Sequence, residues 1–271
     1  MNAVQTVGRA KAAGLQRKEW AMLLVALGMV VLALLAPHVG DSPHQHDFAD
    51  QRTLWGVPCA LDVLSNLPFA FAGLWGLVRL RASRFAGQPP AWRATMALFF
   101  VGLVCTSVGS SVYHWQPDNA GLLWDRLGMA VAFAGMLGLA VTQRISERAG
   151  LLTATVALLA GPAAVVWWSH TGNVMPWAVV QLGGMLVVLG LAFVRAVPGM
   201  PVVSLGAVIA WYGAAKLAEA GDHAVFAATG QWVSGHTLKH LFAAGAAWPV
   251  LAALRAKRVN ASVQQPATAR R

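Results

Sequence analysis

Ser234-Gly235-His236-Thr237-Leu238-Lys239-His240-Leu241 begins an apolar stretch, Gly235–Leu254, that is long enough to cross a bilayer as one helix. Residues four apart on a helix lie on one face, about one turn apart, so His236 and His240 can grip one ion together. Ser110 and His114 repeat that spacing in another apolar stretch, and Asp125 opens the next one. Ionisable groups at the border of hydrocarbon are costly, which marks these as functional. Three imidazoles and a carboxylate point to a zinc site with an open coordination position, built between transmembrane helices.

The composition fits that reading. Of the 271 residues, 57% are hydrophobic and 11% charged, whereas a soluble domain carries about 25% charged residues. An all-α integral membrane protein is expected. The net charge of +10 does not point to nucleic acid. The basic residues lie in short runs between apolar stretches, as they do in cytoplasmic loops. Cys59 and Cys105 form neither a disulfide framework nor a Cys-x-x-Cys metal motif and read as ordinary apolar-site thiols.

Eight stretches qualify or nearly qualify as membrane spans: Trp20–Ala36, Ala60–Leu80, Ala94–Trp115, Gly121–Val141, Leu151–Trp168, Trp177–Val194, Val202–Ala218 and Gly235–Leu254. Prolines punctuate the short connections, among them Pro37, Pro58, Pro89, Pro117, Pro176 and Pro198. With the N-terminus in the cytoplasm, the inner segments hold Arg9, Lys11, Arg17 and Lys18; Arg79, Arg81, Arg84 and Arg93; Arg144 and Arg148; Arg195; and Arg255, Lys257, Arg258, Arg270 and Arg271. Only Arg52, Arg126, Lys216 and Lys239 fall on the outer half. The bias alternates at every loop and predicts eight spans with both ends inside. The first stretch ends Ala33-Leu34-Leu35-Ala36-Pro37, without an Ala-x-Ala cleavage pattern, so an uncleaved helix is expected. In this topology His114, Asp125 and His236 all come to the outer face. The tryptophans, Trp20, Trp55, Trp92, Trp115, Trp177 and Trp232 among them, cluster near helix ends as an interfacial belt.

Gln116-Pro117-Asp118-Asn119 allows a tight turn that returns Asp125 to the level of Ser110 and His114. Zinc lowers the pKa of bound water to about 7. A carboxylate beside that water can orient it and take its proton. A serine hydroxyl nearby can donate to a developing oxyanion. The same histidines and aspartate would also suit the proton relay of a transporter.

Gly109-Ser110-Ser111-Val112-Tyr113-His114, then Asp125, then Ser234-Gly235-His236-Thr237-Leu238-Lys239-His240, resembles the alkaline ceramidase family. So does Asp62-Val63-Leu64-Ser65-Asn66-Leu67. The wider grouping includes the adiponectin-receptor-like proteins and shares Ser-x-x-x-His, Asp and His-x-x-x-His on seven transmembrane helices. The resemblance covers roughly Pro58 to Leu254. It implies a seven-helix bundle over 58–254, preceded in 1–57 by a cytoplasmic N-terminus, an extra helix and an outer loop. Residues 255–271 would form a basic cytoplasmic tail, polar and disordered from Asn260. The resemblance also implies that His114, His236 and His240 bind zinc, that Asp125 acts on the zinc-bound water, and that Ser110 assists. The reaction would cleave the amide of ceramide, or of a ceramide-like membrane lipid, to a fatty acid and an amine lipid. Eukaryotic members carry an acidic calcium-binding loop. Here only Asp41, Asp47 and Asp50 are scattered ahead of the second helix, and Cys59 stands at an expected acidic ligand, so calcium is not expected. The positive-inside, short-looped chain looks bacterial. That puts it in an inner membrane with the site toward the periplasm.

Other polar residues have two readings each. Asp62, with Ser65 and Asn66, is either part of an interhelical hydrogen-bond network or support for a metal-bound histidine. Tyr113 adjoins His114 and is a substrate or supporting candidate. Lys216 and Glu219, at i,i+3, with Asp222 and His223, are either structural or headgroup contacts. His44, His46 and Asp47 read as a solvated loop, with a peripheral metal site as the alternative. Two other functions remain open: a receptor with a structural zinc, and a proton-coupled transporter.

Overall fold

The computed structural model describes residues 14–82 and 85–255. Arg9, Lys11, Arg84, Lys257 and the remainder of the basic tail lie outside the described residues. Those described are helical, without a strand. In chain order the helices are α1 (Arg17–Leu35), α2 (Ala60–Leu64), α3 (Leu67–Leu80), α4 (Pro90–Trp115), α5 (Asn119–Arg144) and α6 (Glu147–Thr171). Then come α7 (Met175–Ala178) and α8 (Gly184–Ala192), joined by a π-helical turn over Val179–Gly183. The chain finishes with α9 (Leu205–Ala220), α10 (Asp222–Ala228), α11 (Gly235–Gly245) and α12 (Trp248–Ala253).

Six of these passages are long and apolar enough to cross a membrane: Arg17–Leu35, Ala60–Leu80, Pro90–Trp115, Asn119–Arg144, Glu147–Thr171 and Met175–Ala192. The remaining two expected spans are helical but shorter or broken. α9 has 16 residues, and the last passage is interrupted between Gly245 and Trp248. Pro249 explains that interruption, because it has no N–H to offer the carbonyl of Gly245. Pro68 acts in the same way between α2 and α3, where it cannot donate to Leu64. The kink leaves Ser65 and Asn66 at a break inside the bundle, with free backbone groups to satisfy.

Helix starts are chosen locally. Asp118 caps α5 by accepting from Gly121 N at 2.6 Å, and Ser146 caps α6 from Ala149 N at 3.2 Å. Ser234 caps α11 from Thr237 N at 2.9 Å. The Asp118 cap turns the chain within three residues, so α4 and α5 pack against each other along their length. α5 in turn packs on α6.

Small residues set how close α4 and α5 come. A methyl group at Gly109 would stand 2.2 Å from the carbonyl oxygen of Trp124, and one at Gly135 would stand 2.2 Å from Phe99 N. Gly109 precedes Ser110, and Trp124 precedes Asp125, so this contact fixes the distance between two candidate site residues. Gly109→Ala is expected to force the helices apart and to destabilise by about 1–3 kcal/mol, the cost of overpacking. A thermal melt in detergent checks this, and an unchanged midpoint would remove Gly109 from the argument.

α1 stands apart. Only 6% of its apolar window is buried. It is fastened at both ends. At its start, Glu19 accepts from Ser146 Oγ at 2.6 Å and Arg148 Nε at 2.7 Å, with a further Arg148 contact through Nη2. Beyond its end, Val39 N donates to Asn173 Oδ1 at 3.1 Å and Val39 O accepts from Val174 N at 2.8 Å.

Candidate metal centre

The loop between α1 and α2, the last turn of α4, the second turn of α5 and the first turns of α11 meet at one end of the bundle. There the side chains of His114, His236 and His240 converge. Their ligand atoms lie within 4.8 Å of one another, and the three rings stand edge to face with centroids 4.8–4.9 Å apart. All three are buried; His114 is 0% exposed. Neither nitrogen of His114 has a hydrogen-bond partner. An imidazole left bare in an apolar interior costs about 1–3 kcal/mol, so the arrangement calls for a ligand at those nitrogens. Three clustered neutral imidazoles are a metal-ion donor set, and this group could hold one ion.

His240 is oriented from behind. Its Nδ1 lies 2.8 Å from Ser65 Oγ, which donates to the carbonyl of Asp62 at 3.1 Å. The Ser65 proton is thereby committed, so Nδ1–H must donate to Ser65 and the lone pair of Nε2 is left facing the cluster. Ser110 Oγ is 3.5 Å from that Nε2. It lines the same cavity as Asp125, which is 7% exposed and stands outside the three-histidine group.

The structure brings Ser110, His114, Asp125, His236 and His240 to one place. It gives Asp62 both of its expected parts. Its carboxylate Oδ1 accepts from Thr237 Oγ1 at 2.6 Å and Ser234 Oγ at 3.2 Å, which ties α2 to α11. Its carbonyl holds Ser65 and, at 2.9 Å, Asn66 Nδ2. Asn66 also accepts Ser107 Oγ on its carbonyl at 2.8 Å, so it braces the kink against α4. Asp222 accepts His236 N at 2.7 Å and Ala49 N at 3.0 Å, joining α11 to the α1–α2 loop. Tyr113 donates to Gln45 O at 2.9 Å, and its hydroxyl lies 2.9 Å from His46 Nδ1. Lys216 and Glu219 pair at 2.5 Å.

The α1–α2 loop forms a cover. Phe48, 5% exposed, lays its ring 4.7 Å from His114 and 4.5 Å from His236. The acids of this loop each have partners of their own. Asp41 accepts from Trp168 Nε1 at 2.6 Å, and Asp47 lies 3.8 Å from His44 and 3.9 Å from His223. Asp50 takes two bonds of 2.7 Å from Arg52. Burial works against the charge on Asp50, and the Arg52 guanidinium outweighs it, holding the carboxyl below its ordinary range. These carboxylates point to separate partners. His46 joins Tyr113 and Asn119 instead of a metal set.

A cavity of about 810 Å³ opens beside the histidines. Ser110, Asp125, His236, Lys239 and His240 make its polar end. Phe99, Leu103, Phe133, Met136 and Val208 make apolar walls deeper in the bundle. From Asp125 to Met136 the wall descends about 16 Å along α5 at 1.5 Å per residue.

Three participants escaped the sequence reading. Ser65 was noticed only as a neighbour of Asp62, though a hydroxyl one turn past an aspartate at a Pro-induced break was a usable signal. Lys239 lies between the two histidines of the motif and was read only as a topology charge. Its Nζ lies 2.8 Å from His236 Nε2 and 3.4 Å from Glu219. Phe48 carried no signal, because nothing in the loop's composition says where it folds. No model of a known protein family matches the chain, and no curated protein is significantly similar to it.

Proposed function

We propose that this protein is a zinc-dependent intramembrane hydrolase. It cleaves the amide of ceramide, or of a ceramide-like lipid, to a fatty acid and an amine lipid, as the alkaline ceramidases that it resembles do. One observation carries the reading: the bare, buried imidazole of His114 against His236 and His240, at the mouth of an apolar cavity. Zinc bound there supplies Lewis acidity and a water acidified to a pKa of about 7.

The rest of the chemistry belongs to the side chains. Asp125 faces the cavity and is placed to orient a water and accept its proton. Ser110 Oγ, 3.5 Å from His240 Nε2, lines the cavity together with Asp125, so its hydroxyl is in position to donate to an oxyanion. Ser65 and the Asp62 carbonyl keep the His240 ring from turning. Phe48 shields the histidines from bulk solvent on the loop side. The apolar walls accept an acyl chain lengthwise. A structural metal would be closed by a fourth protein ligand. Asp125 stands outside the histidine group, which leaves one position free and favours the hydrolase over a receptor. The Lys and Arg bias supports a bacterial inner membrane, cytoplasmic termini and a centre facing the periplasm.

The test is to measure metal in the purified protein and then incubate it with ceramides and other N-acyl lipids. About one zinc per chain and free fatty acid by mass spectrometry are expected. A zinc-loaded protein that released no fatty acid from any lipid amide would sink the hydrolase reading.

A further inference from the structure

Glu219 stands between two lysines. Lys216 Nζ donates to its Oε2 at 2.5 Å, and Lys239 Nζ lies 3.4 Å from its Oε1. All three line the cavity. Two cations share one carboxylate, so the cluster keeps one positive charge. The other charged groups of that end have places of their own. Asp222 is taken by two backbone N–H groups, and Asp125 lines the cavity on the α5 side of the metal centre. Arg126 lies over the Trp168 ring at 3.9 Å, and Asp47 sits between His44 and His223 at the mouth. The surplus charge is also close to the reacting centre, since Lys239 Nζ is 2.8 Å from His236 Nε2. An ammonium has three N–H donors. Glu219 takes one, and a metal on His236 claims the only lone pair of that ring, so the others are left for a ligand.

We infer that this cavity selects a lipid amide that carries a carboxylate next to the scissile bond, an N-acyl α-amino acid. The inference rests on the hydrolase reading for the position of that bond. In an α-amino acid conjugate the carboxylate is two bonds from the amide nitrogen, close enough for a lysine that touches a histidine of the centre. A phosphomonoester brings a second charge that the cluster cannot match, and a phosphodiester headgroup lies further from the amide. A neutral amide leaves the lysine charge unanswered in a cavity with apolar walls, where electrostatic interactions are strong.

The experiment compares N-palmitoylglycine with N-palmitoylethanolamine, which share the acyl chain and differ by the carboxylate. The full-length protein is used with its metal measured. Hydrolysis gives kcat/KM for each, and displacement of a fluorescent fatty acid gives binding without turnover. The wild type is expected to favour the glycine conjugate by about 10- to 150-fold, the range of a hydrogen bond to a charged group. Lys239→Met is expected to bring that ratio near one, and Lys239→Arg to restore part of it. Lys216→Met, which lowers the ratio less, serves if Lys239→Met does not elute as folded protein. A wild-type ratio of one or below, or a preference that survives Lys239→Met, overturns the inference. Equal cleavage of both amides overturns it while leaving the hydrolase standing. Cleavage of neither, with Lys239-dependent displacement by the glycine conjugate, keeps the anion site and removes the hydrolase.

Discussion

His240→Ala should yield a folded protein without its metal. The side chain is one of three that converge within 4.8 Å, and two imidazoles do not make a stable zinc site. Nothing nearby can substitute, since Asp125 stands outside the group and Ser110 Oγ is 3.5 Å from the nitrogen that would be lost. Zinc per chain is expected to fall from about one to near zero, with loss of any hydrolytic activity. His114→Ala and His236→Ala should behave alike. Ser65→Ala is the graded companion. It removes the acceptor that orients His240 and should weaken metal affinity by about 10- to 100-fold while keeping the site. Elemental analysis after dialysis against a weak chelator reads both. Full zinc in the His240→Ala protein would end the claim that these histidines are the metal centre.

Asp125→Asn is expected to separate binding from chemistry. The amide keeps the volume of the carboxylate, so the α4–α5 contact can persist. It cannot accept a proton. Metal content should stay near wild type while lipid-amide hydrolysis falls by about 10²- to 10⁴-fold, the contribution of a general base. Ser110→Ala should cost less, up to about 10²- to 10³-fold for a lost oxyanion donor. Activity and zinc must be measured on the same preparation. An Asp125→Asn protein that holds zinc and hydrolyses at the wild-type rate would take Asp125 out of the mechanism.

The helices and the histidine set were legible because each signal is local. Apolar runs announce helices whatever their neighbours do. His-x-x-x-His needs only the helical period to put two rings on one face. The Pro117-Asp118 turn was equally readable, and it carried Asp125 to Ser110. What the sequence hid is contact between distant segments. The 172-residue separation of Asp62 and Ser234 leaves no pattern in either segment, although a buried aspartate asks for donors. Phe48 comes from a polar loop and lands on two histidines only because Asp222 and Tyr113 pin its flanks. The interruption at Gly245 was foreseeable from Pro249 and was overridden by the evenness of the apolar run.

The two clasps on α1 bear on how the molecule can be taken apart. Its fastenings are at its two ends, Glu19 against Ser146 and Arg148, and Val39 against Asn173 and Val174. Between them it touches the bundle only lightly, through Met22 and Met29, and most of its surface is exposed. It is a strut bolted to the outside of a frame that starts at Ala60. The three rings and the kink behind them belong wholly to that frame. Unfastening the strut would therefore loosen the anchorage of the loop that carries Phe48 before it disturbed the ligand set, so shortened forms of the chain should lose their cover before they lose their metal.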